Sequence, residues 1–147
     1  MHSVSSNAVA EESSKITHLF PINANYVQTN DTNWATVAWI GVDFYQKFQS
    51  YPEISGKTKK VRLIFNIFTS GQNAISVSLK RSADPDVTVI VNNIVVWGGI
   101  GSSAFSRFCS VPIDPTFLNV YSAVYMKSND ASQYVAVANL FAEVYYE

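Results

Sequence analysis

The run Val61-Arg62-Leu63-Ile64-Phe65-Asn66-Ile67-Phe68 constrains the fold more than any other stretch. Val61, Leu63, Phe65 and Ile67 recur at every second position. An extended strand, whose side chains alternate between two faces, gathers such a set on one side. The intervening residues are only partly polar, so the second face is not plainly a solvent face. Ser70-Gly71-Gln72-Asn73 breaks the run as a turn. Ile75, Val77 and Leu79 then alternate with Ser76, Ser78 and Lys80, a half-buried strand. The two runs read as a hairpin.

The same pattern continues along the chain. Ala83-Asp84-Pro85-Asp86 reads as a turn, and Val87, Val89 and Val91 resume the alternation. Asn92-Asn93 reads as a second tight turn before Ile94-Val95-Val96-Trp97. The loop Gly98-Gly99-Ile100-Gly101-Ser102-Ser103 leads to a short strand that Pro112 and Pro115 stop. Val120, Ser122, Val124 and Met126 alternate with Tyr121, Ala123, Tyr125 and Lys127. Residues 34–44 and 134–146 read as two further apolar strands, and 51–56 as loop. Beyond residue 15 no segment carries a helical period. About eight antiparallel strands with short turns predict an all-β domain, a β-sandwich of jelly-roll type, with an up-and-down barrel as rival.

Residues 1–15 differ from the rest: they hold no aromatic residue and permit one or two helical turns. They read as a leader for attachment or oligomerisation, followed by one sandwich domain over 16–147. In the last strand, Tyr134, Ala136, Ala138, Leu140, Ala142 and Val144 fall on one face. Val135, Val137, Phe141 and Tyr145 fall on the other. Two apolar faces imply that the outer one is covered, by another subunit or by a second layer of the same chain.

Charged residues are only 14% of the chain, against a usual share of about 25%. Ser, Asn, Thr and Gln fill the gap, and short neutral side chains lose little rotamer entropy in flat contacts. A net charge of −1 gives no field to gather phosphate backbones, so no nucleic-acid partner is expected. The basic run Lys57, Lys59, Lys60, Arg62 reads as a solvated strand start. No apolar stretch approaches the about 18 residues of a membrane span, and no signal-peptide pattern is visible.

Catalytic and metal-binding patterns are sparse. His2 and His18 are the two histidines and Cys109 the one cysteine. That supports neither a zinc site nor a catalytic triad, and Cys109 reads as a small buried hydrophobe. Asp84 and Asp86 offer oxygens to calcium, but Asp-Pro-Asp is first a turn sequence. Asp43 and Glu143, both in predicted strands, are the pair a glycosidase would need. The match of residues 99–104 to a dinucleotide fingerprint fails, because strand and prolines follow where a helix is required. The chain is therefore expected to be non-enzymatic, without metal or cofactor. Trp34, Tyr51 and Trp97, which border predicted loops, are the candidate ligand-binding rings, since sugar faces dock on aromatic faces. Trp39 and the phenylalanines within strands read as core.

The leader Met1-His2-Ser3-Val4-Ser5-Ser6-Asn7-Ala8-Val9-Ala10 resembles a phrase, M-x-S-V-[ST]-S-N-A-V-A, of phage and prophage tail-fibre and related virion proteins. There the phrase commonly precedes a β-rich head. The resemblance covers about ten of 147 residues, and here the phrase begins at Met1 rather than inside a long fibre. It implies a virion location, a homotrimer, contacts with other virion proteins and attachment to a host surface glycan or anchoring of a fibre. A capsid decoration or head-fibre protein without a receptor role, and a carbohydrate-binding module, stay open beside it.

Overall fold

The computed structural model describes residues 16–96, 106–118 and 121–147. The leader, Trp97 and the glycine loop lie outside them. The described residues form nine strands: β1 (Thr17–Asn23), β2 (Val27–Thr29), β3 (Ala35–Trp39), β4 (Lys59–Thr69), β5 (Ala74–Arg81), β6 (Thr88–Val95), β7 (Arg107–Ile113), β8 (Ser122–Ser128) and β9 (Val135–Tyr146). One helix, α1 (Gly41–Ser50), and a 3₁₀ turn at Pro115–Leu118 complete them. The fold is an all-β sandwich of two antiparallel sheets. One has the order β1-β9-β4-β7, with β2 also on β9; the other has the order β3-β8-β5-β6.

Alternation puts the core between the sheets. Val61, Leu63, Phe65 and Ile67 of β4 face Ile75, Val77 and Leu79 of β5, all at most 1% exposed. The predicted β4–β5 hairpin is not formed. β4 pairs with β7 and β9, and β5 pairs with β6 and β8. The turn at Gly71, where φ is +56°, carries the chain from one sheet to the other. An alternating pattern is satisfied equally by two strands of one sheet and by two strands facing across a core.

The predicted strand over 34–44 is corrected to β3 followed by α1. Gly41 has φ +78°, a left-handed backbone open to glycine that ends the strand. Ile40, Phe44 and Phe48 then recur at helical spacing and are all buried. Phe44 packs on Phe20 of β1, with ring centroids 5.1 Å apart. The stripe is only three residues long, and Val42 and Tyr45 inside it carry strand-like propensity.

Bulges account for the other corrections. The register of β3 on β8 slips between Thr36 and Ala38, so Val37 and Ala38 both lean on the core and Trp39 turns outward, 54% exposed. A bulge shifts every later side chain to the opposite face. Asn92-Asn93 is not a turn: it lies inside β6, where the register slips and Asn93 takes φ +49°. Asparagine tolerates that conformation in turns and bulges alike. In β9, Asn139 takes φ +54° where β4 slips register between Ile64 and Asn66. Val135 and Val137 face the core before it, and Leu140, Ala142 and Val144 after it. The uninterrupted faces expected for 134–146 are therefore exchanged halfway. Pro112 lies within β7 rather than ending it, which an edge strand permits.

Candidate functional site

Of the three predicted rings, Trp97 is outside the described residues. Tyr51 follows α1 directly, and its half-buried ring has two close partners. His18 stacks on it with centroids 4.2 Å apart and planes 6° from parallel, and the Lys47 ammonium lies 5.5 Å from its centroid. Burial pushes the Tyr51 hydroxyl above its ordinary pKa. Tyr146 donates to Pro52 O at 2.6 Å, so its oxygen is left to accept from His18 Nε2 at 3.2 Å. Lys59, with a side chain only 8% exposed, donates to Phe48 O at 2.8 Å and Tyr51 O at 2.9 Å, and lies 3.2 Å from Glu53 Oε1. The ammonium thus satisfies the Phe48 carbonyl in the last turn of α1 and the Tyr51 carbonyl just beyond it, with the Glu53 carboxylate beside it. This cluster binds helix and loop to the five-stranded sheet.

Trp34 has a different setting. Its half-buried ring lies beneath the Lys127 ammonium, 4.6 Å from the centroid. Lys127 borders a groove of about 230 Å³ lined by Thr32, Ser76, Asn93, Lys127, Ser128 and Asn129, all polar. Local structure sets each side. Asp31 Oδ1 accepts from Asn33 N–H at 2.8 Å, and Ser128 N–H donates to Asp31 O at 2.7 Å, which ties the Thr32 loop to β8. The β6 bulge presents Asn93, whose N–H donates to Ser76 Oγ at 3.0 Å. Ser128 Oγ accepts from Asn73 Nδ2 at 2.9 Å and donates to Asp130 O at 2.7 Å. The serine floor is thus engaged in the fold, and Lys127, Thr32 and Asn129 are available at the rim.

A second surface is the outer face of the five-stranded sheet. Cross-strand pairing sets Leu19 beside Glu143 and Glu143 beside Arg62. The next row holds Pro21, Phe141, Ile64 and Ser110. Then come Ala138, Asn66 and Phe108, followed by Ala136 and Phe68. Tyr26 covers Phe68 edge-on at 5.7 Å. Phe108 is 63% exposed, Leu19 57% and Tyr26 56%, so Phe108 is not the core residue its place in a strand suggested. The charges on this face are paired internally. Arg62 Nε donates to Glu143 Oε1 at 2.6 Å while its guanidinium lies over Tyr145, and Lys60 meets Glu147 at 2.9 Å. The basic run at 57–62 is therefore largely consumed within the chain.

The other chemical candidates are dispersed. Asp84 is held by Arg81 through two hydrogen bonds of 2.6 and 3.1 Å. No cluster of three or more His, Cys, Asp or Glu occurs among the described residues. Asp43 lies in the first turn of α1, not in a strand, whereas Glu143 projects from the outer face of the five-stranded sheet and is bound by Arg62. Cys109 is half-buried against the core, and burial raises its thiol pKa while Arg107 opposes the rise. No helix among the described residues is long and apolar enough to cross a membrane.

Sequence reasoning singled out Trp34 but not Lys127, Asn93 or Asn129, which meet only because β6 and β8 both flank β5. The available signal was Asn92-Asn93 within an otherwise apolar alternation. No protein-family model matches the chain, and comparison with curated proteins finds no match.

Proposed function

We propose that this chain is a non-enzymatic adhesion and assembly domain of a phage virion. In this reading it is a fibre or receptor-binding head that self-associates and attaches to a host surface glycan or anchors a fibre. The observation that carries the reading is the outer face of the five-stranded sheet, where exposed Leu19, Tyr26 and Phe108 adjoin the half-buried Phe141, Ile64 and Phe68. Contiguous exposed apolar area of this kind marks interaction surfaces. The internal pairing of Arg62 with Glu143 and Lys60 with Glu147 favours a second copy as the cover. Two such faces meet without like-charge repulsion. The resemblance of the leader adds the virion context and a trimer as the expected assembly.

The strand order supports the finer reading of the sandwich as a jelly roll, since from β3 to β9 the chain passes repeatedly between the sheets. The polar groove beside Trp34 favours a receptor role over pure capsid decoration. Light scattering at micromolar concentration tests the assembly. We expect a multimer from the native chain and a monomer from L19S/F108S, with unchanged circular dichroism. A monomeric native chain overturns the assembly half of the proposal.

A further inference from the structure

We propose that the groove beside Trp34 binds an acidic saccharide unit, a sugar ring carrying a carboxylate or sulfate, with the Lys127 ammonium taking its charge. This rests on the glycan-binding reading above and adds the chemical class of ligand.

The lining sets the class. A volume of about 230 Å³ is below the roughly 300–1,000 Å³ of pockets for drug-sized ligands, and it suits one sugar ring. The walls are hydroxyl and amide groups, the partners that sugar hydroxyls require. Lys127 is the one charged side chain in the lining, and no carboxylate lies within 4.0 Å of its nitrogen among the described residues. The nearby acids in sequence are engaged elsewhere. Asp31 Oδ1 accepts from Asn33 N–H, and Asp130 Oδ1 accepts from the Ser132 N–H at 2.9 Å and hydroxyl at 2.8 Å. Lys127 is held instead over the Trp34 ring, an attraction that fixes the ammonium and leaves its outward donors unused. Trp34 is thus a positioning residue for Lys127, which replaces the sugar-stacking role expected from its sequence context. Asn93 and Asn129 flank the same space and can donate to ring hydroxyls. A single cation favours one fixed negative charge over a polyanionic backbone, which needs a row of cations.

Titration of the ¹⁵N-labelled chain by NMR tests this, using glucuronate, N-acetylneuraminate and glucose 6-sulfate against glucose and acetate. We expect the acidic sugars to shift the amides of Asn93, Lys127 and Asn129, and glucose to bind at least tenfold more weakly. K127Q is expected to abolish the preference without changing the thermal midpoint. W34F should retain the preference and W34L should lose it several-fold. Equal response to glucose and glucuronate, or an unaltered K127Q, overturns the proposal. Acetate shifting the groove as strongly as glucuronate also overturns it, because the site is then a plain anion site. Neutral sugars shifting amides elsewhere sink this inference while leaving the glycan-binding reading standing, and silence toward every sugar sinks both. The assembly proposal stands or falls separately by light scattering.

Discussion

His18 and Tyr51 lie face to face, with 4.2 Å between ring centroids and planes 6° from parallel, although 33 positions separate them in the chain. The stack joins β1 to the residue that ends α1. An aromatic pair of this kind contributes about 0.5–1.5 kcal/mol beyond its buried area. A double-mutant cycle of His18→Ala and Tyr51→Ala in urea unfolding should show coupling of that size. Tyr51→Ala should leave the saccharide titrations unchanged, because Tyr51 does not line the groove beside Trp34.

Lys59 should be the most sensitive polar position. In K59M the carbonyls of Phe48 and Tyr51 lose their donor. Each buried acceptor left unmade costs about 1–3 kcal/mol, so a loss of about 3 kcal/mol in urea unfolding is expected. E53Q should cost under about 1 kcal/mol, because Glu53 is 77% exposed and its bond to Lys59 is solvent-screened.

Asn139 is exposed, so substitution there tests backbone conformation with little change in packing. Its φ of +54° suits Asn or Gly and strains a β-branched residue. N139V should lose about 1–3 kcal/mol and N139G should remain near the native value, by thermal or urea denaturation.

Ser78 sits at 0% exposure between Tyr125 of β8 and Val89 of β6, and its hydroxyl has no hydrogen-bond partner among the described residues. S78A removes a desolvated polar atom without opening a large cavity. It should stabilise the fold by up to about 1 kcal/mol, read as a higher urea midpoint.

Acid should weaken the fold through its turns. Asp114 and Asp130 are held below the ordinary aspartate range, chiefly by backbone N–H donors from Thr116 and Ser132. Glu147 is lowered by its hydrogen bond to Lys60. A carboxylate with a depressed folded-state pKa contributes stability above its unfolded value, and that contribution is lost as pH falls through the folded value. The urea midpoint should be flat above about pH 5 and decline below about pH 4. D130N, whose amide oxygen can still accept, should keep neutral-pH stability and flatten the decline.

Strand positions were legible because the alternation of Val61 to Ile67 and of Ile75 to Leu79 is set by burial on one face. Pairing was not legible: β4 and β5 belong to different sheets, which the same alternation permits. Three bulges, at Val37–Ala38, Asn92–Asn93 and Asn139, moved side chains between faces. They explain why Trp39 points outward and why β9 changes face midway. The short helix stayed hidden because Ile40, Phe44 and Phe48 mark its buried side with only three residues. Of the rings, Trp34 lies under the Lys127 ammonium that borders a groove and Tyr51 stacks on His18, a difference fixed by neighbours on other strands.

β9 runs through the middle of its sheet, between β4 on one side and β1 with β2 on the other, and joins residues as far apart as His18 and Tyr146. Until residues 135–146 are available, β1 and β2 have no ladder to join. Loop closure over such separations costs entropy before any contact compensates, and folds dominated by non-local pairing mature in milliseconds to seconds. During that interval the emerging chain displays both its interior and the apolar residues of the outer sheet face. Self-recognition among partly synthesised copies is therefore a hazard that this order of pairing builds into the molecule.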